Sequence, residues 1–278
     1  YQSSLAGDWL RPSRHVENSR DGGVAPDSGP ADSGTPADGG VSPDAATFVS
    51  TQSVDVSGGF LERAVVDPNA LDPRNGLTVL AWTQGASLFQ PIASRWGGGG
   101  ASTETWWIGL ATAPGTIWAM GFSQGGTGAD CSSGPTTWSH VGFTYDGTNT
   151  RIRCYINGVD DTAVVNGTIP STVDTEDQNL TIGGSGHSAD VDDVLIFNCE
   201  LTAAEVLQVY CATHGSAAAA CATAGPGSTS VGTSRFGELV LGHACFVEWY
   251  DMEGDGVGWA GNNLSANGSP SYTGAQPP

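Results

Sequence analysis

The 278-residue chain is predicted to be an all-β protein, its short antiparallel strands wrapped into a two-layered sandwich or barrel with one short helix. Three observations predict this. Glycine is abundant at 41 residues, beside 9 Trp, 6 Tyr and 8 Phe, the mixture expected of short strands joined by tight turns. Apolar and polar side chains alternate in segment after segment, each bounded by Gly, Asp-Gly, Asn-Gly or Pro-Gly. A single stretch carries helical spacing.

Taken in order, residues 1–20 form an N-terminal arm with apolar anchors at Tyr1, Leu5, Trp9 and Leu10 and three of the nine arginines. Residues 21–46 are a linker built mainly from Asp, Gly, Ala, Pro and Ser, with only Val24 and Val41 as branched apolar side chains. Such a segment buries too little to offset its ordering entropy alone, so contact with neighbouring copies is the expected means of ordering it. Residues 47–211 carry the strands. VSTQSVDVS alternates, and in GLTVLAWTQG Leu77, Val79 and Ala81 oppose Thr78, Leu80 and Trp82, a strand packed on both faces. PIASRW is short and followed by four glycines, and WWIGLAT and TIWAMGFS flank a hairpin signal at Pro114-Gly115. WSHVGFTYDG meets TNTRIRCYINGVD at Asp146-Gly147, where a positive φ is expected, and a second turn follows at Asn157-Gly158. NLTIGG and ADVDDVLIFNC complete this set. LTAAEVLQVYC reads as the helix, with Thr202 as N-cap and Leu201, Ala204, Leu207 and Val209 on its apolar face.

The order of certain segments is distinctive. Leu80-Ala81-Trp82 precedes the run Trp138-Ser139-His140-Val141-Gly142-Phe143-Thr144-Tyr145-Asp146-Gly147. Tyr155-Ile156-Asn157-Gly158 and Leu180-Thr181-Ile182-Gly183-Gly184 follow, then Val191-Asp192-Asp193-Val194-Leu195-Ile196-Phe197-Asn198 and Leu201-Thr202-Ala203-Ala204-Glu205-Val206. This succession resembles the laminin-G-like members of the concanavalin A-type lectin and glucanase fold. The resemblance implies a two-sheet antiparallel jelly-roll sandwich over 47–211, with the extended N-terminal arm and extra C-terminal strands lying outside it. Cys199 and Glu200 stand where the family carries a basic residue, and the cysteine implies a local disulfide. In such a strand Trp138 packs the sandwich and His140 makes a buried hydrogen bond rather than acting as a base.

Composition excludes several functions. The net charge of −20, from 29 acidic and 9 basic side chains, repels phosphate backbones and argues against nucleic-acid binding. With no lysine, the chain lacks the amine that a phosphate loop, a Schiff base or an isopeptide crosslink needs. Six cysteines, at 131, 154, 199, 211, 221 and 245, include no Cys-x-x-Cys pair, and the histidines do not flank them at zinc-site spacing. Disulfides in an oxidising compartment are expected, in any of about fifteen connectivities, although the spacing of Cys211 and Cys221 suits a short closed loop. The chain opens at Tyr1 rather than Met, an expectation of earlier processing, and no run approaches the ~20 apolar residues of a membrane span.

Glycosidases of this fold place paired glutamates on one concave strand, and residues 47–211 offer no such triplet. The nearest match, Glu248 to Glu253, puts those two on opposite strand faces and follows the closing helix, outside the jelly roll, which disfavours hydrolysis. The same segment places Asp251, Glu253 and Asp255 at positions 1, 3 and 5 of a loop with Gly256 at position 6, a candidate calcium site weakened by Asn262 at position 12. Asp190, Asp192 and Asp193 form a second acidic cluster. In residues 212–278, FGELVLGHACFVEWYDM reads as one or two strands that extend the jelly roll's edge or another subunit's, and SANGSPSYTGAQPP reads as loop. Glycosylation sequons begin at Asn166, Asn179 and Asn263.

The favoured expectation is a non-catalytic extracellular structural or adhesive protein, secreted or at the cell surface, a subunit of a surface polymer or filament that contacts neighbouring copies or other extracellular proteins through its N-terminal arm. The alternative is a carbohydrate- or protein-binding recognition module with glycan ligands, and calcium is the one cofactor considered.

Overall fold

The computed structural model describes residues 52–64, 75–85, 91–96, 104–112, 116–122, 127–132, 134, 137–173, 178–184, 189–213, 221, 240, 243–254, 258, 260, 263–275 and 277. The N-terminal arm and linker expected at 1–20 and 21–46 lie outside them, as does Asp255.

The described strands are β1 (Ser53–Asp55), β2 (Gly59–Arg63), β3 (Gly76–Gln84), β4 (Pro91–Trp96), β5 (Glu104–Thr112), β6 (Thr116–Phe122), β7 (Thr127–Cys131), β8 (Ser139–Asp146) and β9 (Arg151–Ile156). Then come β10 (Val159–Asp160), β11 (Thr162–Asn166), β12 (Leu180–Ile182), β13 (Asp190–Phe197), helix α1 (Ala203–Ala212), β14 (Phe246–Tyr250), β15 (Ser265–Gly268) and β16 (Ser271–Thr273). They form two eight-stranded antiparallel sheets. The first runs β10-β9-β8-β3-β13-β1-β16, with β14 also paired to β13; the second runs β11-β7-β6-β5-β4-β12-β2-β15. This is a jelly-roll sandwich.

Alternation builds the core. From the first sheet, Leu77, Val79, Ala81, Val141, Phe143, Tyr145, Val194 and Ile196 turn inward; from the second come Trp106, Ile108, Met120, Phe122, Leu61 and Ile182. The Cys131–Cys154 disulfide ties β7 of one sheet to β9 of the other through this core, both residues being fully buried. Strand β3 is buried on both faces as expected, because Leu80 turns away from the core to lie under Leu201, Val206 and Val209 of the helical segment. Trp82 faces the same way, packs with Tyr210 and Cys211 and donates its Nε1–H to Thr213 Oγ1 at 2.8 Å. The helix begins at the expected cap, with Thr202 and Glu205 forming a reciprocal capping box. Its buried face is Val206, Val209, Tyr210 and Cys211, whereas Ala204 is exposed and Leu207 half-buried.

Three expectations need correction. Glu248 does not lie outside the jelly roll: β14 extends the first sheet by pairing with β13 (Leu195↔Trp249, Ile196↔Glu248), and the side chain is fully buried. The tail taken as loop contains two strands, β15 against β2 and β16 against β1, which cross from one sheet to the other. In the turn between β8 and β9 the positive φ belongs to Thr150 at 47°, not to Gly147. Gly147 is needed there for space, since a Cβ would sit 2.2 Å from the Ser171 carbonyl oxygen. The Asn157-Gly158 turn behaves as read, with φ of 50° and 78°.

Six cysteines form three bridges: Cys131–Cys154, Cys199–Cys245 and the short Cys211–Cys221 loop. Cys199 joins a partner 46 residues away at the entry to β14 rather than a local one.

Candidate functional site

The outer face of the second sheet is where alternation leaves polar and aromatic groups. Following the register across neighbouring strands, one row runs Asn166, Gly128, Gly121, Trp107, Ser94, Thr181, Glu62 and Ser265. Each is separated in sequence from inward-pointing neighbours: Trp107 sits between buried Trp106 and Ile108, and Glu62 follows buried Leu61. At ~4.8 Å between strands, the seven strands from Gly128 to Ser265 span roughly 29 Å.

Gly121 makes room for the aromatic ring, and Gly128 for the neighbouring strand. The Trp107 indole lies across Gly121 so closely that a Cβ there would fall 2.2 Å from Nε1, and a Cβ on Gly128 would strike the Met120 carbonyl oxygen at 2.2 Å. Trp107 is half-buried, so its ring is held by the sheet yet reaches the surface. Farther along the row, both oxygens of Glu62 are oriented: Oε1 accepts from Asn179 Nδ2 and Oε2 from Asn267 Nδ2, each at 2.8 Å. At the other end Asp130 accepts from Asn166 Nδ2 at 2.9 Å. Asn166 and Asn179, each of which begins a sequon, therefore stand on this face. A half-buried Phe60 sits two residues before Glu62 on the same side of β2. Sequence reading missed this face, because each of its strands contributes a single residue.

None of the described arginines stands in that row. Arg63 pairs in register with buried Leu180 and Arg95 with buried Trp106, both in inward rows. Arg151 forks onto Glu200 and also meets Asp146, while Arg153 pairs with Asp160, all on the first sheet and its flanking loop. The row is thus an acidic, amide- and hydroxyl-bearing trough with an aromatic centre.

The described carboxylates, His140 and Trp138 singled out in the sequence stand outside that row. Glu248 is fully buried; its Oε1 accepts from the backbone N–H groups of Trp249 and Ala260 at 3.1 and 2.6 Å. Burial, then the Glu248 carboxylate, push the adjacent Tyr250 phenol far up, with Arg63 opposing. Asp251 Oδ1 accepts from Glu253 N at 3.4 Å, and Glu253 Oε1 from Gln52 N at 3.3 Å, while Met252 between them, at φ 52°, is buried in the core. Asp192 and Asp193 are fully buried in a bulge of β13: Asp193 has φ 47°, its N–H donates to Asp192 Oδ1 at 2.8 Å, and its Oδ1 accepts from Trp249 Nε1 at 2.8 Å. His140 is fully buried between Trp82 and Tyr210, with ring centroids 5.3 and 5.5 Å away, and Trp138 packs half-buried against the same group.

Two packed antiparallel sheets in this strand order define the class of double-sheet jelly rolls. Residues 62–207 match the profile of the concanavalin A-like lectin/glucanases superfamily, and the chain belongs to that superfamily. No curated protein matches the chain. Among solved structures it is similar to a candidate carbohydrate binding protein from Bacteroides ovatus, with TM-score 0.53 and 14% identity over 80% of this chain. The chain spans 59% of the length of that protein. Also similar are the Ruminococcus gnavus IT-sialidase CBM40 bound to alpha2,3 sialyllactose (TM-score 0.44, 14% identity, 59% of this chain and 100% of that one) and a heptameric SAP-like pentraxin from Limulus polyphemus (0.41, 13%, 60% and 85%). At these identities the likeness shows the fold alone.

Proposed function

We propose that this chain is a non-catalytic carbohydrate-binding module that lays a neutral glycan across the outer face of its second sheet. The observation that carries this reading is the cross-strand row centred on Trp107, on a sheet face that no described element covers. A sugar ring presents C–H groups to the electron-rich face of an indole, and its hydroxyls need acceptors and donors at fixed positions beside it. Glu62, Thr181 and the asparagine amides supply both. The ligand is a neutral one because the chain carries a net charge of −20 and no described arginine reaches the row; a uronate or sialate would meet Glu62 and Asp130 without a counter-charge. Three disulfides support an oxidising, extracellular setting for such a module, secreted or on a cell surface, where an adhesive role is a direct use of glycan binding.

The test is a glycan array followed by titration calorimetry on the full chain. Binding to a neutral polysaccharide is expected, weakened about tenfold or more in Trp107→Ala and several-fold in Glu62→Gln, with unfolding free energy changed by about 1 kcal/mol or less at either position. Undiminished binding by Trp107→Ala, or selective binding of sialylated glycans, overturns the proposal.

A further inference from the structure

At the opposite side of the sandwich, where β13 leaves the first sheet and β14 enters it, a second group of side chains converges. Cys199 follows β13, and His243 and Cys245 lie in the tight turn before β14, closed by Phe246 N–H donating to His243 O at 3.0 Å. Ligand atoms of Cys199, His243 and Cys245 all lie within 4.8 Å of one another. His243 turns Nδ1 toward Cys245 Sγ at 3.0 Å, where it also accepts from the Cys245 N–H at 3.4 Å, a contact the cation would replace, and its Nε2 faces Glu205 Oε1 at 3.4 Å. The edge of Phe197 meets the imidazole at 5.7 Å and 89°, fixing its plane. Two sulfurs, an imidazole nitrogen and a carboxylate on the far ring nitrogen reproduce the order of a thiolate–histidine zinc centre with its orienting outer carboxylate.

The Cys199–Cys245 bond occupies that position in the oxidised chain, and it is also the bridge most open to exchange. Both its cysteines are half-buried, whereas Cys131 and Cys154 are fully buried and Cys211 and Cys221 are 6% and 4% exposed. Thiol–disulfide exchange needs the attacking thiolate to reach a sulfur along the bond axis, so exposure selects this bridge.

We infer that Cys199, Cys245 and His243 form a redox-gated site for one thiophilic divalent cation of the zinc class, with Glu205 positioning the imidazole. A dithiol reductant delivers two electrons and two protons to the Cys199–Cys245 bond, leaving two thiols here and a cyclic disulfide on the reductant. The cation then displaces the two thiol protons to solvent and takes both thiolates and the His243 Nδ1 lone pair. The sulfurs must part to about 3.8 Å to bind a tetrahedral ion, a movement confined to the turn before β14 and the residues after β13. The fourth position is left to water. This inference is independent of glycan binding, which uses the outer face of the other sheet.

The experiment treats the full chain with graded dithiothreitol under native conditions, maps opened cysteines by alkylation and mass spectrometry, and titrates the desalted protein anaerobically with Co²⁺ and then Zn²⁺. Cys199 and Cys245 are expected to label first. One Co²⁺ per chain should then give thiolate-to-cobalt charge-transfer absorption, bleached by one equivalent of Zn²⁺. His243→Ala, which leaves the disulfide in place, should weaken cobalt binding at least tenfold. Glu205→Gln, which preserves the helix capping box, should weaken it about tenfold. Opening of another bridge first, absence of the charge-transfer band once alkylation shows Cys199 and Cys245 reduced, or unchanged affinity in His243→Ala overturns the inference.

Discussion

The two sheets of this sandwich share one core but treat their outer faces in opposite ways. On the first sheet Leu80, Leu195, Phe197 and Trp249 point outward and are sealed beneath the α1 segment and Val240. On the second, the outward positions are Trp107, Ser94, Thr181 and Glu62, with Gly121 beside the tryptophan. The same period-two alternation thus gives strands apolar on both faces where a helix roofs them and half-polar strands where no described element does. The covered face adds apolar burial to the fold, and no described element covers the other.

The largest expected effect that separates the faces comes from Trp249→Ala. Trp249 is 1% exposed under the roof and its Nε1–H pins Asp193 in the β13 bulge. Its removal should cost about 3–5 kcal/mol of unfolding free energy by chemical denaturation, through the cavity and the lost partner of a buried carboxylate. Glycan affinity per folded molecule should stay unchanged. A tryptophan loss as costly at position 107 would break the contrast.

A smaller effect, on the open face, comes from Gly121→Ala. The new methyl would lie 2.2 Å from Trp107 Nε1, so the indole must swing off its seat. Intrinsic fluorescence should shift to the red and glycan affinity fall several-fold, while stability moves by about 1 kcal/mol or less. Retained affinity would show that the ring's seating over Gly121 is irrelevant to binding.

How much of this was legible in the sequence follows from the same contrast. Strands β3, β8, β9 and β13 carry long apolar runs that serve both a core and a roof, and their turns are marked by Asp-Gly and Asn-Gly. Strand β7 (TGADC) has little β-branched content; it holds its place through Ala129 and Cys131 inward and Gly128 close against Met120. Strands β15 and β16, of four and three largely exposed residues, are set by pairing with β2 and β1, contacts more than 200 residues distant that no local pattern encodes. The candidate binding row fails to show for the same reason: one residue from each of its strands leaves no motif. The convergence of His243 with Cys199 and Cys245 was hidden by the 43 residues between Cys199 and His243, which leave no zinc-site spacing to read.

The smallest expected effect tests the edge of the closed sheet. Asp190 begins β13 opposite Asp55 of β1. Burial raises its pKa, the Asp55 carboxylate raises it further, and the Thr273 hydroxyl, donating at 3.3 Å, only partly offsets them. A carboxyl whose pKa is higher folded than unfolded keeps its proton to higher pH in the native state. Between the two values the native state binds more protons, so stability falls as pH rises through that window, just above the ordinary carboxylate range. Asp190→Asn removes the penalty. It should raise the melting temperature slightly at neutral pH, and the gain should vanish in acid, where the carboxyl is protonated in both states. A gain that grows toward low pH would mean that ionised Asp190 is stabilising, and that the β1–β13 edge is held by charge rather than despite it.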